Sequence, residues 1–254
     1  MTPRLVGMVH LGPLPGAPRY RGDLDAVITA AVADARTLID AGFDGLMVEN
    51  FGDAPFFADD APKETIAAMT RVVGAVTALG APTGVNVLRN DALGALAVAA
   101  ASGAAFIRVN VLSGVMYTDQ GVITGKAAAV ARLRAAIAPA VAVFADVFVK
   151  HATPPPGLSL EQATADLWER SGADAIVVSG PGTGQAVDRA HVQRVRAAAP
   201  QAPLYIGSGA DAGSAAELLQ VCTGLIVGTA IKVDGITTAP VDPERARALV
   251  AAAR

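Results

Sequence analysis

The stretch ADVFVKH at 145–151 holds a carboxylate, an amine and an imidazole close together, as Asp146, Lys150 and His151. Alternate residues of an extended chain share a face, so Asp146 and Lys150 project to one side if the strand runs that far. An amine beside a carboxylate can serve as acid, electrophile or Schiff-base former when burial lowers its pKa. The same two groups can also form an internal ion pair that braces the structure. In RVN at 108–110 the same alternation puts Arg108 and Asn110 on one side. Other polar residues end short apolar runs: His10, Glu49, Asn50, Asn86, Arg89, Asn90, Ser179, Ser208, Thr229 and Lys232. Such groups are costly there unless paired or used. Glu49 or Asp146 is the candidate general base, Lys150 the acid or electrophile, and His10 and His151 the histidines of interest. His191 falls on a charged helical stretch. Asn50, Asn86, Arg108, Asn110, His151 and Lys232 are candidates to orient a ligand.

Three glycine-rich turns late in the chain suggest what that ligand carries. They read SGPGTG (179–184), IGSGAD (206–211) and VGTAIK (227–232). Glycine lets the backbone approach closely, and successive N–H groups, with the positive end of a following helix, hold an anion. Gly207, Ser208 and Gly209 with Gly228 and Thr229 form the expected phosphate site. Ser179, Gly180, Thr183 and Gly184 form a third wall. Neither GxGxxG spacing nor a Lys-Ser/Thr after the glycines is present, so dinucleotide and P-loop readings fail. Nor is there a GxSxG elbow or a Ser-His-Asp order. His10, Glu49, Asp146 and His151 are conceivable metal ligands, but no HxH or HxxxH spacing supports them, and no metal is expected. No cofactor is expected, with flavin on the same turns as the alternative.

The elements that must carry these residues follow from patterning. Near-continuous apolar runs at 5–10, 44–50, 83–88, 106–110, 141–149, 174–179, 203–207 and 224–228 read as strands buried on both faces. Helical stretches alternate with them at 24–41, 62–79, 91–102, 126–138, 160–171, 188–199, 212–220 and 243–253. Asp23, Asp91, Ser159 and Asp211 stand at N-cap positions, and Pro62 and Pro243 suit first turns. Gly42, Gly103 and Gly172 follow helices where a left-handed residue closes them. Eight βα units in 254 residues predict an α/β fold, a single (β/α)8 TIM barrel spanning 1–254. Function then sits at the carboxyl ends of the strands. The long stretch 111–125 is expected to act as a lid or wall, and the segment 51–60, with Phe56 and Phe57, as a second wall or an oligomer contact.

Hydrophobic residues make up 52% and charged residues 17%, which suits a large core and argues against disorder. A net charge of −3 argues against a nucleic-acid footprint. The lone cysteine, Cys222, excludes an internal disulfide and reads as packing. No targeting segment or integral membrane span is read, so a cytoplasmic location is expected.

The blocks GMVHLGPLPGAPRY (7–20), VENFGDAPF (48–56), GVNVLRNDALGAL (84–96), FIRVNVLSGVMYTDQGVITGKA (106–127), FADVFVKHA (144–152) and VGTAIKVDGITTAPVDPER (227–245) resemble the BtpA family across nearly the whole chain. The resemblance implies a ribulose-phosphate-binding-type barrel and a link to photosystem I biogenesis in cyanobacteria. Its motif positions fall here on His10, Glu49, Asn50, Asp53, Asn86, Arg89, Asn90, Arg108, Asn110, Asp119, Gln120, Lys150, His151, Lys232 and Asp234. Two functions are expected to compete. One is an enzyme acting on a small phosphorylated metabolite, such as a sugar or nucleoside phosphate, by isomerase- or lyase-type proton transfer. The other is a non-catalytic binding or assembly factor. Either could be a homo-oligomer.

Overall fold

The computed structural model describes residues 3–180 and 182–254, so Pro181 of the first glycine turn lies outside the described residues. Eight parallel strands close into a barrel. They are β1 (Leu5–His10), β2 (Gly45–Glu49), β3 (Thr83–Asn86), β4 (Phe106–Val109), β7 (Ala142–Val147), β9 (Ala175–Val178), β10 (Leu204–Ile206) and β11 (Gly224–Val227). They neighbour one another in that order, and β11 returns to β1. Helices α1 (Leu24–Ala41), α2 (Lys63–Thr77), α3 (Ala92–Ser102), α4 (Ala127–Ile137), α5 (Leu160–Ala165), α6 (Arg189–Ala198), α7 (Ala215–Leu218) and α8 (Pro243–Ala253) separate them. The expected fold class is therefore the observed one.

The two-residue alternation of each strand divides the core into two layers. Leu5, Val9, Leu46, Val48, Val85, Ile107, Val143 and Val178 face outward into the layer beneath the helices. Val6, Met8, Met47, Phe106, Phe144, Val177, Tyr205 and Ile226 fill the barrel interior. There the Phe106 and Phe144 rings stack at 4.7 Å, and Tyr205 leans on Phe144 at 4.8 Å. The Tyr205 hydroxyl donates to the carbonyl of Pro3 at 2.7 Å, which satisfies the one polar atom of that ring and closes the amino-terminal end of the barrel.

Several helix ends form as the sequence directs. Asp23, Asp91 and Ser159 accept N–H bonds at the starts of α1, α3 and α5. Gly42 and Gly103 close α1 and α3 in the left-handed conformation. Others differ. Asp211 does not cap a helix at 212; it accepts from the Ser214 amide and hydroxyl, and this turn delays α7 to Ala215. Pro62 stands at the N-cap of α2, one residue before the helix. The stretch 160–171 divides into α5 and a wide π-type turn (Asp166–Arg170), where the Ser171 hydroxyl donates to the carbonyl of Asp166 five residues back.

The long stretch after β4 is not an open loop. It forms a hairpin of β5 (Val115–Thr118) and β6 (Gly121–Thr124), extended by β8 (Ala152–Thr153) on the far side of β5. Val111, Met116, Ile123 and Val149 pack as its own small core. Behind the barrel mouth, Lys232 is wholly buried and its ammonium donates to Asp34 of α1 at 2.6 Å. The second Asp34 oxygen accepts the amide of Val241. This pair fastens the segment after β11 to the first helix, so Lys232 is a brace and not a ligand residue.

Removing one partner of a buried ion pair strands the other charge, at about 3–5 kcal/mol. Lys232→Ala should therefore lower unfolding free energy by about 3 kcal/mol in urea denaturation, and adding Asp34→Ala should restore much of the loss. A single variant as stable as the parent would refute the brace.

Candidate functional site

The inward side of each strand continues past the packed interior to the carboxyl end. There it carries His10 on β1, Glu49 on β2, Asn86 on β3, Arg108 on β4 and Asp146 on β7, then Ser179 just beyond β9. On the next two strands the corresponding residues are Gly207 and Gly228. A Cβ at Gly207 would lie 3.0 Å from the Arg108 guanidinium and 2.6 Å from Val177, and one at Gly228 would lie 2.9 Å from the His10 ring. Two absent side chains open a cavity on that side of the mouth.

The inner part of the cavity measures about 110 Å³, and its walls include His10, Glu49, Arg108, Lys150, the turn 207–211 and Gly228, Thr229 and Ala230. Thr183 and Gly184 complete the wall. That volume suits a phosphate or a few waters. Among the described residues, no hydrogen bond engages the amides of Ser208, Gly209, Thr229 or Ala230. The Ser208 hydroxyl is already used: it donates to the Gly182 carbonyl and accepts from the Gly184 amide. The following helix α7 spans only four residues, so any anion contacts here come from turn amides and not from a helix end.

A larger chamber of about 400 Å³ adjoins it and shares Glu49, Arg108, Lys150 and Thr183. Phe51, Phe56, Leu88, Arg89, Asn110, Asp119, Gln120 and His151 complete its wall. The hairpin tip between β5 and β6 supplies Asp119 and Gln120, and the segment 51–60 supplies the two phenylalanines. Both long segments thus act as walls.

Arg108 and Asp146 form a bidentate pair at 2.8 and 2.7 Å, wholly buried, with the Ser179 hydroxyl 3.2 Å from the same guanidinium. Asp146 is consumed in holding Arg108, so it is not free to act as a base, and Ser179 belongs to this brace. Asn86 donates to Glu49 at 2.7 Å and fixes that carboxylate. Asn50 faces away from both chambers: it accepts the Leu88 amide and donates to Asp53, which in turn accepts the Leu14 amide. Gly180 lies against the backbone of Gln185 and Ala186, where a Cβ would be 2.2 Å from a carbonyl, so it lets the turn fold back rather than meet a ligand. The structure therefore gathers His10, Glu49, Arg108, Asn110, Lys150, His151, Thr183, Gly184, Gly207, Ser208, Gly209, Gly228 and Thr229 around one opening. It places Asn50, Asn86, Asp146, Ser179, Gly180 and Lys232 behind it.

Lys150 makes no ion pair among the described residues. Burial, and then the nearby Arg108 guanidinium, lower its pKa, against the pull of Glu49 and Asp146. It lies between two residues with positive φ, Phe148 at 47° and His151 at 56°, a sparsely populated conformation that local contacts must maintain. The His151 ring meets the Thr183 hydroxyl at 3.2 Å. Arg89, for which sequence reasoning assigned no ligand role, lines the larger chamber. Its signal was a charged residue just after an apolar run. Among the described residues no cluster of three or more His, Cys, Asp or Glu side chains is placed to hold a metal.

His10 Nδ1–H donates to the carbonyl of Thr237 at 3.2 Å, which leaves the Nε2 lone pair toward the cavity. Glu49 Oε1 lies 3.7 Å from Nε2. Burial outweighs the attraction of that carboxylate and lowers the imidazole pKa from 6.5 to about 4, so the ring is neutral near pH 7 and the contact is not an ion pair.

The unfolded chain takes up this proton near pH 6.5 and the folded chain only near pH 4, so stability present above pH 6.5 is lost as pH falls toward 4. The loss attributable to His10 is about 3 kcal/mol. Urea denaturation at pH 7.5 and pH 4 should show the parent losing that much more than His10→Gln. Equal pH dependence in the two proteins would contradict it.

A family model described as "BtpA family" matches residues 1–254. An uncharacterized protein of Thermococcus kodakarensis is 49% identical over 98% of this chain and 95% of its own length. The photosystem I biogenesis protein BtpA of Synechocystis is 44% identical over 98% of this chain and 87% of its own. Among solved structures, phosphoribosyl anthranilate isomerase from Thermococcus kodakaraensis superposes with a TM-score of 0.59 at 15% identity, covering 100% of this chain and 99% of that one. Dihydropteroate synthase from Xanthomonas albilineans gives 0.54 at 18%, covering 99% and 90%. These likenesses show a shared barrel fold. No helix among the described residues is long and apolar enough to cross a membrane.

Proposed function

The chain belongs to the BtpA family, and from that premise we propose that it is an enzyme acting on a small phosphorylated metabolite by proton transfer, as an isomerase or lyase does. The observation that carries this reading is Lys150: an amine without a side-chain partner among the described residues, at the junction of a phosphate-sized recess and a larger chamber. The phosphate lies against the turns 207–210 and 228–230, whose amides supply the contacts. The body of the ligand extends past Arg108 into the larger chamber. Glu49, held by Asn86, takes a proton from the carbon next to a carbonyl. Lys150, as an ammonium, donates one to the oxygen on which charge develops. Neutral His10 accepts a hydrogen bond from the ligand at Nε2. The isomerase whose fold is similar bears a phosphoribosyl substrate in its name, which accords with this class but does not choose the reaction.

A second reading has its own observation. Tyr117 and Val122 face each other across the hairpin and are 47% and 57% exposed, an apolar pair on a projecting element. A non-catalytic assembly factor, the role in the Synechocystis relative's name, would dock through such a feature.

A thermal-shift screen of inorganic phosphate and phosphorylated sugars, nucleosides and acids should find stabilisation by several degrees with the best compound. Incubating that compound with the protein in deuterium oxide should label it at carbon, read by mass spectrometry. Lys150→Ala should lower the labelling rate at least about 100-fold while the compound still raises the melting temperature. Labelling unchanged in the variant, or no stabilisation by any compound, would sink the enzyme reading.

A further inference from the structure

Of the cations around the larger chamber, Arg108 is neutralised by Asp146, but Arg89 and Lys150 are not. Arg89 is only 6% exposed; among the described residues no carboxylate lies within salt-bridge distance, and the one hydrogen bond of its side chain runs to the carbonyl of Lys150 at 2.6 Å. A guanidinium has five donors in a planar fork suited to a carboxylate or phosphate, and burying one with most donors unused is costly. Asn110 stands in the same wall, 3% exposed, and its Oδ1 is buried without a partner. The side-chain carbonyl of Gln120, also in that wall, is likewise unpartnered. Arg89 and two spare acceptors therefore converge on the part of the larger chamber away from the phosphate-sized recess, with Lys150 at the junction of the two. Asp119 and Glu49 are the acidic residues of that wall. Glu49 sits at the boundary with the recess and is engaged by Asn86, and Asp119 is exposed at the hairpin tip beside Gln120.

We propose that the substrate has two anionic ends: a phosphate in the inner recess, and a second oxyanion, a carboxylate or another phosphate, received by Arg89 in the larger chamber, with hydroxyl or amine hydrogens on the connecting atoms meeting Asn110 and Gln120. This rests on the phosphate reading above and narrows it. Neutral-ended phosphates such as glycerol 3-phosphate occupy the recess alone. Compounds with a carboxylate or second phosphate at the other end occupy both parts. Arg89 acts here as a specificity residue, since its charge selects the far end of the ligand and takes no part in the bond changes.

The test is calorimetric titration of the intact protein with glycerol 3-phosphate, 3-phosphoglycerate, ribose 5-phosphate and ribulose 1,5-bisphosphate. The same titrations are made on Arg89→Gln and Arg89→Lys. In the parent, at least one of the two doubly anionic compounds should bind at least tenfold more tightly than its neutral-ended counterpart. Which pair responds separates carboxylate from phosphate as the preferred group. Arg89→Gln should reduce that ratio below threefold while leaving affinity for glycerol 3-phosphate and ribose 5-phosphate within twofold, and Arg89→Lys should restore part of the ratio. A merely structural role would weaken all four alike. Ratios near one in the parent, with the neutral-ended compounds binding, would overturn the two-ended substrate and leave the phosphate recess standing. No binding by any of the four or by inorganic phosphate would overturn both.

Discussion

A closed eight-stranded barrel fills its own interior, so a ligand can enter only where inward positions at the mouth carry no side chain. Here the ring above the packed interior is occupied by His10, Glu49, Asn86, Arg108, Asp146 and Ser179, and is open at Gly207 and Gly228. The opening is off-centre for that reason. It also explains the position of the phosphate-sized recess beside β10 and β11, between two glycine turns. Filling either position would push on Arg108 or on His10, so recess and reactive groups depend on the same two residues.

The electrostatics follow from what the ring pairs and what it leaves alone. Arg108 and Asp146 neutralise each other and are locked by two short bonds, so they form a rigid wall rather than a reactive couple. Glu49 is held by Asn86 without being neutralised. Lys150 and Arg89 remain unpaired among the described residues, although the chain as a whole has a net charge of −3. The mouth balances Arg89, Arg108 and Lys150 against Glu49, Asp119 and Asp146, so its distinctive feature is charge left unpaired and not a net positive excess. Leaving these charges apart costs stability, because each desolvated charge must be carried by the rest of the barrel. The left-handed residues flanking Lys150 add to that cost and fix the amine where the two chambers meet.

The alternation of apolar runs and capped helices placed all eight barrel strands within a few residues, and the glycine turns pointed to the recess, because both signals are local. The residues that the structure turns away from the opening or engages in pairs share a different character. Lys232 ends an apolar run like its neighbours, but its partner Asp34 is 198 residues away, and nothing nearby in the chain announces that ion pair. Asn50 likewise meets the amide of Leu88, 38 residues on, whereas Gly180 meets the returning turn at 185–186, a close approach that the glycine pattern does not distinguish from a ligand contact. Asp146 was visible as a carboxylate but not as one already bound to Arg108. The hairpin in 111–125 was readable as a long insertion and not as strands, since its third strand comes from 152–153, beyond another barrel strand.

The balance between enzyme and assembly factor turns on these unpaired charges. A scaffold that only docks a partner gains nothing from buried cations inside its own mouth. They weaken the fold and face no protein surface, whereas its docking energy comes from exposed apolar groups such as Tyr117 and Val122. Under the enzyme reading, Arg89, Lys150 and the Asn110 carbonyl, unpartnered among the described residues, meet a small polar molecule that supplies the missing partners. The exposed hairpin pair demands no more than a second use of the same wall element. A protein built like this can dock through its hairpin, while the unpaired groups of its mouth are what the enzyme reading accounts for and the docking reading does not.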